Sequence, residues 1–135
     1  MAGYSGTPLA KKLGLRAGMT AVCLNAPVHY HALLSPQPES ITWHTQLIPA
    51  VDFIHFFTRS QQELVEQFPR LKAALAQNGS LWISWPKKIA KVDTDLNGNL
   101  VREIGLAHGL VDVKVAAVDE IWSGLKFVYR LADRQ

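Results

Sequence analysis

The chain has 135 residues, a length typical of one domain, and we expect residues 1–135 to form a single unit. Hydrophobic residues make up 48% and charged residues 19%, which is typical of a globular chain and excludes a disordered one. The formal net charge is +3, and the basic residues are scattered along the chain rather than grouped in the Lys- and Arg-rich stripe typical of nucleic-acid-binding domains. The sequence also lacks the apolar run of ~20 residues that a membrane helix needs. A single cysteine, Cys23, excludes an internal disulfide and indicates a cytoplasmic location.

The N-terminal segment predicts a turn followed by a short helix. Glycines in Gly3-Tyr4-Ser5-Gly6 indicate the turn. Thr7 suits an N-cap and Pro8 the first helical position, so the helix should run to about Leu13, and Gly14 should end it.

Strands and helices then alternate. Apolar or β-branched runs bounded by Pro, Gly and Asn predict strands at residues 19–24, 41–44, 51–57, 81–85, 110–118 and 124–131. A brief helix should end near Leu34. A longer one should begin with a capping box formed by Ser60 and Glu63, continue through Pro69 with a kink, and close at Asn78-Gly79. A last helix is expected over 100–108, capped by Asn99.

The spacing of these elements predicts the fold. Strands separated by helices imply parallel βαβ units, whereas about five residues between the last two strands allow only an antiparallel hairpin. We therefore expect an α/β fold, a compact Rossmann-like and mostly parallel sheet of the kind methyltransferases use, closed by a C-terminal hairpin that adds one antiparallel strand at an edge.

Ligands of such sheets bind beyond the carboxyl ends of the parallel strands. The cations expected there and the free N–H groups of the helix that begins at Ser60 favour a small anionic or nucleotide-like ligand. The competing interpretation is that the lysines are solvated loop charges and the indole of Trp85 is core packing. The candidate ligand-binding residues are Asn25, Arg59, Trp85, Lys87, Lys88, Asp119 and Trp122.

Bound S-adenosylmethionine or a dinucleotide would need glycines after the first strand and a carboxylate about 20 residues further on. The sequence has Leu24-Asn25-Ala26-Pro27 at the first position and His44-Thr45-Gln46 at the second. Both parts fail, so no cofactor is expected, with S-adenosylmethionine kept as the disfavoured alternative.

Three further motifs occur in the sequence, and none of them predicts a metal site or a catalytic site. Residues 93–100 match the start of a calcium loop, but Ile104 stands where a bidentate Glu is required, so a helix-capping loop is the better account. His29 and His31 lie two residues apart and cannot share one helix face, so no metal site is expected. Cys23 should be buried and inert, and no catalytic triad can be assembled.

Segments spread over nearly the whole chain carry a resemblance to a known family; they are 3–9, 81–88, 94–96, 101–102, 109–115, 118–119 and 122–128. In these segments the chain resembles a small family of uncharacterised bacterial proteins, a domain-of-unknown-function family with a distant likeness to methyltransferases. The resemblance implies one cytoplasmic domain and brings no catalytic residue with it.

Three functions stay open at this point. The first is a non-catalytic ligand-binding or interaction domain with an anion site at the carboxyl edge of the sheet. The second is a minimal or degenerate S-adenosylmethionine-dependent methyltransferase-like enzyme. The third is a subunit that docks through the exposed edge of its hairpin, which would make the protein a homo-oligomer.

Overall fold

The computed structural model describes residues 6–135, so most of the turn expected at residues 3–6 and the start of the first matching segment lie outside the described part. The strands are β1 (Thr20–Leu24), β2 (Thr42–His44), β3 (Val51–Phe57), β4 (Leu75–Pro86), β5 (Leu110–Ala117) and β6 (Trp122–Tyr129). The helices are α1 (Leu9–Lys12), α2 (Tyr30–Leu34), α3 (Gln61–Ala74) and α4 (Gly98–Ala107), with single 3-10 turns at Lys88–Ala90 and Leu131–Asp133.

The six strands form one sheet in the order β2-β1-β3-β4-β6-β5. Strands β1 to β4 pair in parallel, and β6 is antiparallel to both β4 and β5. The predicted mostly parallel α/β sheet and its C-terminal hairpin are confirmed. The predicted position of the antiparallel strand at an edge of the sheet is wrong. After α4 the chain forms β5 at the edge, and β6 then returns to pair between β4 and β5.

The boundary between α3 and β4 also differs from the prediction. The helix ends at Ala74 and the strand begins at once with Leu75, so Asn78-Gly79 lies inside the strand. The register of β3 against β4 shifts beyond Val51. A Cβ on Gly79 would lie 2.9 Å from the carbonyl oxygens of Val51 and Asp52, so this glycine permits a close approach of two backbones rather than ending a helix.

Helix ends follow the sequence signals with local changes. Ser60 Oγ accepts a hydrogen bond from the Glu63 N–H at 3.1 Å, as predicted. The Glu63 carboxylate does not return to Ser60; it accepts from Thr58 Oγ1, which in turn accepts from the Ser60 N–H. At α4 the cap is Asn97 rather than Asn99, and at α1 it is Pro8 rather than Thr7.

Helices cover both faces of the sheet. On what we call the α3–α4 face, Leu64, Phe68 and Leu71 of α3 pack on Ile54 and other apolar residues of the sheet. On the α1–α2 face, Leu13 and Tyr30 pack on Phe53, Phe57 and Trp82, among others. Within the described residues, no helix combines the length and the apolar character needed to cross a bilayer.

Candidate functional site

A cleft of about 440 Å³ opens at the carboxyl ends of the parallel strands. The chain leaves β1 toward β2 on one side and returns to β3 on the other, so the order reverses between β1 and β3. A crevice at such a reversal is the usual ligand position in open α/β sheets, and its volume suits a small molecule. The lining residues are Asn25, Phe57, Thr58, Arg59, Glu63, Val92, Ile121 and Trp122.

Asn25, the first residue after β1, has the left-handed backbone conformation with φ 58°. Glycine usually serves this conformation, but asparagine also tolerates it. Its Nδ2 donates to the Phe57 carbonyl oxygen at 3.1 Å, which joins the ends of β1 and β3. At Asn25, a loop without glycine therefore adopts the left-handed conformation that glycine usually provides.

The turn from β3 into α3 brings both signs of charge to the cleft. Arg59 is exposed, while Glu63 is half-buried and held by the Thr58 hydroxyl at 2.5 Å. Thr58 itself is buried, and its N–H donates to the Ser84 carbonyl oxygen of β4 at 3.0 Å. The carboxylate of Glu63 is thus placed by a rigid frame, since strand backbone and helix cap hold the residues around it.

Aromatic rings form another wall of the cleft. The Trp122 ring meets the Phe57 ring edge to face, with 5.1 Å between centroids. The turn before Trp122 is held by Asp119, whose Oδ1 accepts from the N–H groups of Ile121 and Trp122 at 2.8 and 2.7 Å. Asp119 Oδ2 lies 3.0 Å from His29 Nε2, so the residue that holds the Ile121–Trp122 part of the cleft wall is also paired with a histidine, although no sequence motif predicts this pair.

The structure separates the predicted ligand-binding residues into two groups. Asn25, Arg59 and Trp122 line the cleft together, and Asp119 supports it from the turn. Trp85 is 7% exposed and belongs to the core of the α3–α4 face. Lys87 and the exposed Lys88 follow β4 but are not among the cleft-lining residues, which agrees with the interpretation of these three as packing and loop charges.

The N–H groups expected to attract an anion at the start of α3 are largely occupied. Asp95 Oδ1 accepts from the Gln61 N–H at 2.8 Å, and Ser60 Oγ accepts from the Glu63 N–H. Asn97 Oδ1 accepts from the Leu100 N–H at the start of α4. The Asp- and Asn-rich loop is therefore a helix-capping loop, as predicted, and it supplies its own carboxylate where an anion would bind.

A buried polar chain lies under the cleft on the α1–α2 face. His55 is fully buried; its Nδ1 is 2.9 Å from Tyr30 Oη and its Nε2 is 2.7 Å from Ser84 Oγ. Burial lowers the pKa of His55 to about 3. Cys23 is half-buried rather than fully buried as expected, and this burial still raises the pKa of its thiol to about 12, so the thiol stays protonated.

Comparison with known proteins identifies the class of fold. No family model and no curated protein sequence matches the chain. Solved structures do. The chain is similar to a SAM-dependent methyltransferase from Aquifex aeolicus, with 16% identity, a TM-score of 0.58, and 88% of this chain and 86% of that one covered.

Two further neighbours share the architecture. The magnesium protoporphyrin IX methyltransferase ChlM from Synechocystis PCC 6803, solved with bound SAM, is 12% identical with a TM-score of 0.58 and coverages of 90% and 74%. Aeropyrum pernix fibrillarin, also solved with S-adenosyl-L-methionine, is 12% identical with a TM-score of 0.57 and coverages of 93% and 70%. The protein has a methyltransferase-like Rossmann-type fold, which confirms the distant likeness inferred from the sequence. The resemblance to a bacterial domain family stays a prediction.

Proposed function

We propose that the cleft binds S-adenosylmethionine and that the protein is a minimal methyltransferase-like enzyme. The observation that carries this proposal is the cleft at the strand reversal, entered beside a left-handed Asn25. Neighbours of the same fold were solved with that cofactor. We accordingly prefer the alternative of the sequence analysis to a non-catalytic domain without cofactor.

The charges of the cleft match the amino-acid end of the cofactor. That end carries one ammonium and one carboxylate. Glu63, in the first turn of α3, offers a carboxylate, and Arg59, just before the N-cap Ser60, offers a guanidinium. Because the Thr58 hydroxyl fixes Glu63, little conformational freedom is lost when an ammonium binds it.

The apolar wall suits the rest of the molecule. Aromatic faces attract planar bases and sulfonium cations, and Trp122 and Phe57 border the same space as Glu63. No carboxylate follows β2 to accept hydrogen bonds from the ribose hydroxyls of the cofactor. We therefore expect modest affinity for S-adenosylmethionine rather than a different ligand, since one pair of charge-assisted hydrogen bonds is lost. When bound, the cofactor supplies an electrophilic methyl group.

His29 is the residue that we assign to the proton of the methyl acceptor. Its Nε2 is paired with Asp119, and Nδ1 has no hydrogen-bond partner among residues 6–135. An imidazole held by a carboxylate is oriented to accept a proton at its other nitrogen. The identity of the acceptor, a cytoplasmic location and a homo-oligomeric state stay predictions.

Isothermal titration calorimetry with S-adenosylmethionine tests the proposal. The unmodified protein should bind it, and Glu63→Gln should weaken binding about tenfold because the ammonium loses a charged partner while the Thr58 hydrogen bond is kept. Glu66→Gln is the matched control, since Glu66 is an exposed carboxylate one turn further along α3.

Two results would contradict the proposal. One is no heat of binding at about 1 mM cofactor, a concentration that detects even weak sites. The other is equal weakening by the Glu63 and Glu66 substitutions, which would place the ligand elsewhere. Binding of phosphate or nucleotides to the cleft in place of S-adenosylmethionine would restore the anion-binding interpretation.

A further inference from the structure

Three cations from distant parts of the chain meet on the α1–α2 face of the sheet. Lys126 of β6 pairs in register with Lys114 of the edge strand β5. Lys126 also lies opposite Trp82 of β4, whose ring belongs to the core of that face. The third cation, Arg16, stands two residues after Gly14 in the turn that follows α1, close enough for its charge to act on Lys126. None of these residues belongs to the cleft, which lies at the start of β6, where Trp122 precedes Lys126 by four residues.

Both lysines, Lys114 and Lys126, contact the C-terminal end of α1 and the turn that follows it. Lys114 Nζ donates to the Lys12 carbonyl oxygen at 2.7 Å. Lys126 Nζ lies beside Gly14, since a Cβ built there would be 3.5 Å from it. Gly14 has φ 80°, so the left-handed turn after α1 both favours glycine and leaves room for the ammonium group.

The cluster has a surplus of positive charge. Partial burial, then the charges of Lys114 and Arg16, lower the pKa of Lys126, and no carboxylate acts on it. The two ion pairs within residues 6–135 are His29–Asp119 and Arg102–Asp112, so neither involves the cluster. Neither the Lys126 ammonium nor the Arg16 guanidinium has a hydrogen-bond partner in that range. Cations held close together without a counter-charge are stabilised by a multivalent anion.

We propose that Arg16, Lys114 and Lys126 form a binding site for a doubly charged phosphate group of a small ligand. The arrangement favours a small ligand over nucleic acid, because three cations form a compact group rather than a stripe. Trp82, the aromatic residue opposite Lys126, is fully buried and donates its Nε1 hydrogen to the Leu13 carbonyl oxygen, so it offers no face for base stacking.

Calorimetric titration of the full chain with inorganic pyrophosphate tests this site. Lys126→Gln and Arg16→Gln should each weaken binding about tenfold, because each removes one charge-assisted contact. Lys88→Gln and Arg70→Gln are matched controls, since each removes an exposed cation at another place in the fold. Arg70 lies on α3, which covers the opposite face of the sheet, and Lys88 follows the end of β4 at the carboxyl edge, so both variants should leave pyrophosphate binding unchanged. Binding of S-adenosylmethionine by the Lys126 variant should be unaffected, which separates this proposal from that of the cleft.

Three outcomes would overturn the proposal. The first is no binding of pyrophosphate at about 10 mM, well above the range of specific sites. The second is equal loss in the cluster variants and the controls, which would indicate attraction by net charge alone. The third is binding of a single-stranded oligonucleotide, but not of pyrophosphate, that is lost in the cluster variants; it would assign the surface to nucleic acid.

Discussion

The two faces of the sheet are built in different ways. The α3–α4 face is covered by helices of 14 and 10 residues, and its buried core is apolar. The α1–α2 face is covered by helices of only 4 and 5 residues, and its core contains a hydrogen-bonded chain of Tyr30, His55 and Ser84. The long helices bury enough apolar surface to hold one face, whereas the short ones are held in part by directional polar contacts.

Because of this difference, we expect the stability of the α1–α2 face to depend on pH and that of the α3–α4 face to be nearly independent of it. The contribution of an apolar core to the free energy of unfolding does not change with pH, whereas a buried imidazole must stay neutral for the protein to remain folded. Three substitutions or changes of pH distinguish the two faces, and their effects on stability should decrease in the order Phe68→Ala, acidification, Ser84→Ala.

Phe68→Ala should destabilise the α3–α4 face strongly. Phe68 is fully buried, meets the Phe127 ring edge to face at 5.9 Å and stacks on His108 at 4.8 Å. We expect the free energy of unfolding to fall by about 3–5 kcal/mol, because a large cavity opens in a packed core. Urea denaturation measures it. Val65→Ala, on the exposed side of the same helix, should change it by less than about 0.5 kcal/mol, and a similar loss in both variants would contradict the packing described.

The α1–α2 face should lose stability in acid. His55 has a pKa of about 3 in the folded protein, against 6.5 when unfolded, so between these values the unfolded chain binds a proton that the folded chain does not. The unfolding free energy is unaffected above about pH 6.5 and falls by about 1.4 kcal/mol per pH unit below it, reaching a loss of roughly 3 kcal/mol at about pH 4.5.

Urea denaturation at several pH values checks this slope, with His55→Phe as the control. The variant cannot take up this proton, so its unfolding free energy should decline less steeply in acid than that of the unmodified protein. Parallel slopes would show that His55 does not govern the acid response. The imidazole resonances of His55 should also stay in the neutral form at about pH 4.5 in a nuclear magnetic resonance titration.

Ser84→Ala should give the smallest of the three effects. The Ser84 hydroxyl forms a hydrogen bond with His55 Nε2. Its removal leaves this buried ring nitrogen without a partner, which should lower the free energy of unfolding by about 1–2 kcal/mol. Thermal denaturation compares it with Ser123→Ala on β6, whose residue is only half-buried and should be nearly neutral. Equal midpoints for the two variants would show that the polar chain does not stabilise this face.

Much of the fold was accessible from local sequence signals. The run Val51–Phe57 is the strand β3 with the predicted ends, and Ser60 caps α3 as expected, because both depend on residues close together in the chain. Gly79 was misassigned for the opposite reason. Its role depends on the backbone of β3, more than 20 residues away, and in sequence it looks like a helix terminator.

The site was only partly predictable. Its position at the carboxyl edge follows from the parallel topology, and Asn25, Arg59 and Trp122 do line the cleft. Trp85 alternates to the other face of β4 and joins the core there. Glu63 was recognised only as a capping residue, and the signal that could have placed it in the site is its position in the first turn of a helix that begins at the edge of the sheet.

Local sequence patterns were sufficient to predict the class of fold, the alternation of strands and helices and the closing hairpin, since periodicity and turn chemistry act over a few residues. Three features required the assembled fold: β6 lies between β4 and β5, Asn25 has a left-handed backbone conformation, and Lys126 lies beside both Lys114 and the turn that leads to Arg16. These features arise from contacts between segments about 30 to 110 residues apart, and such contacts form only when the whole sheet has assembled.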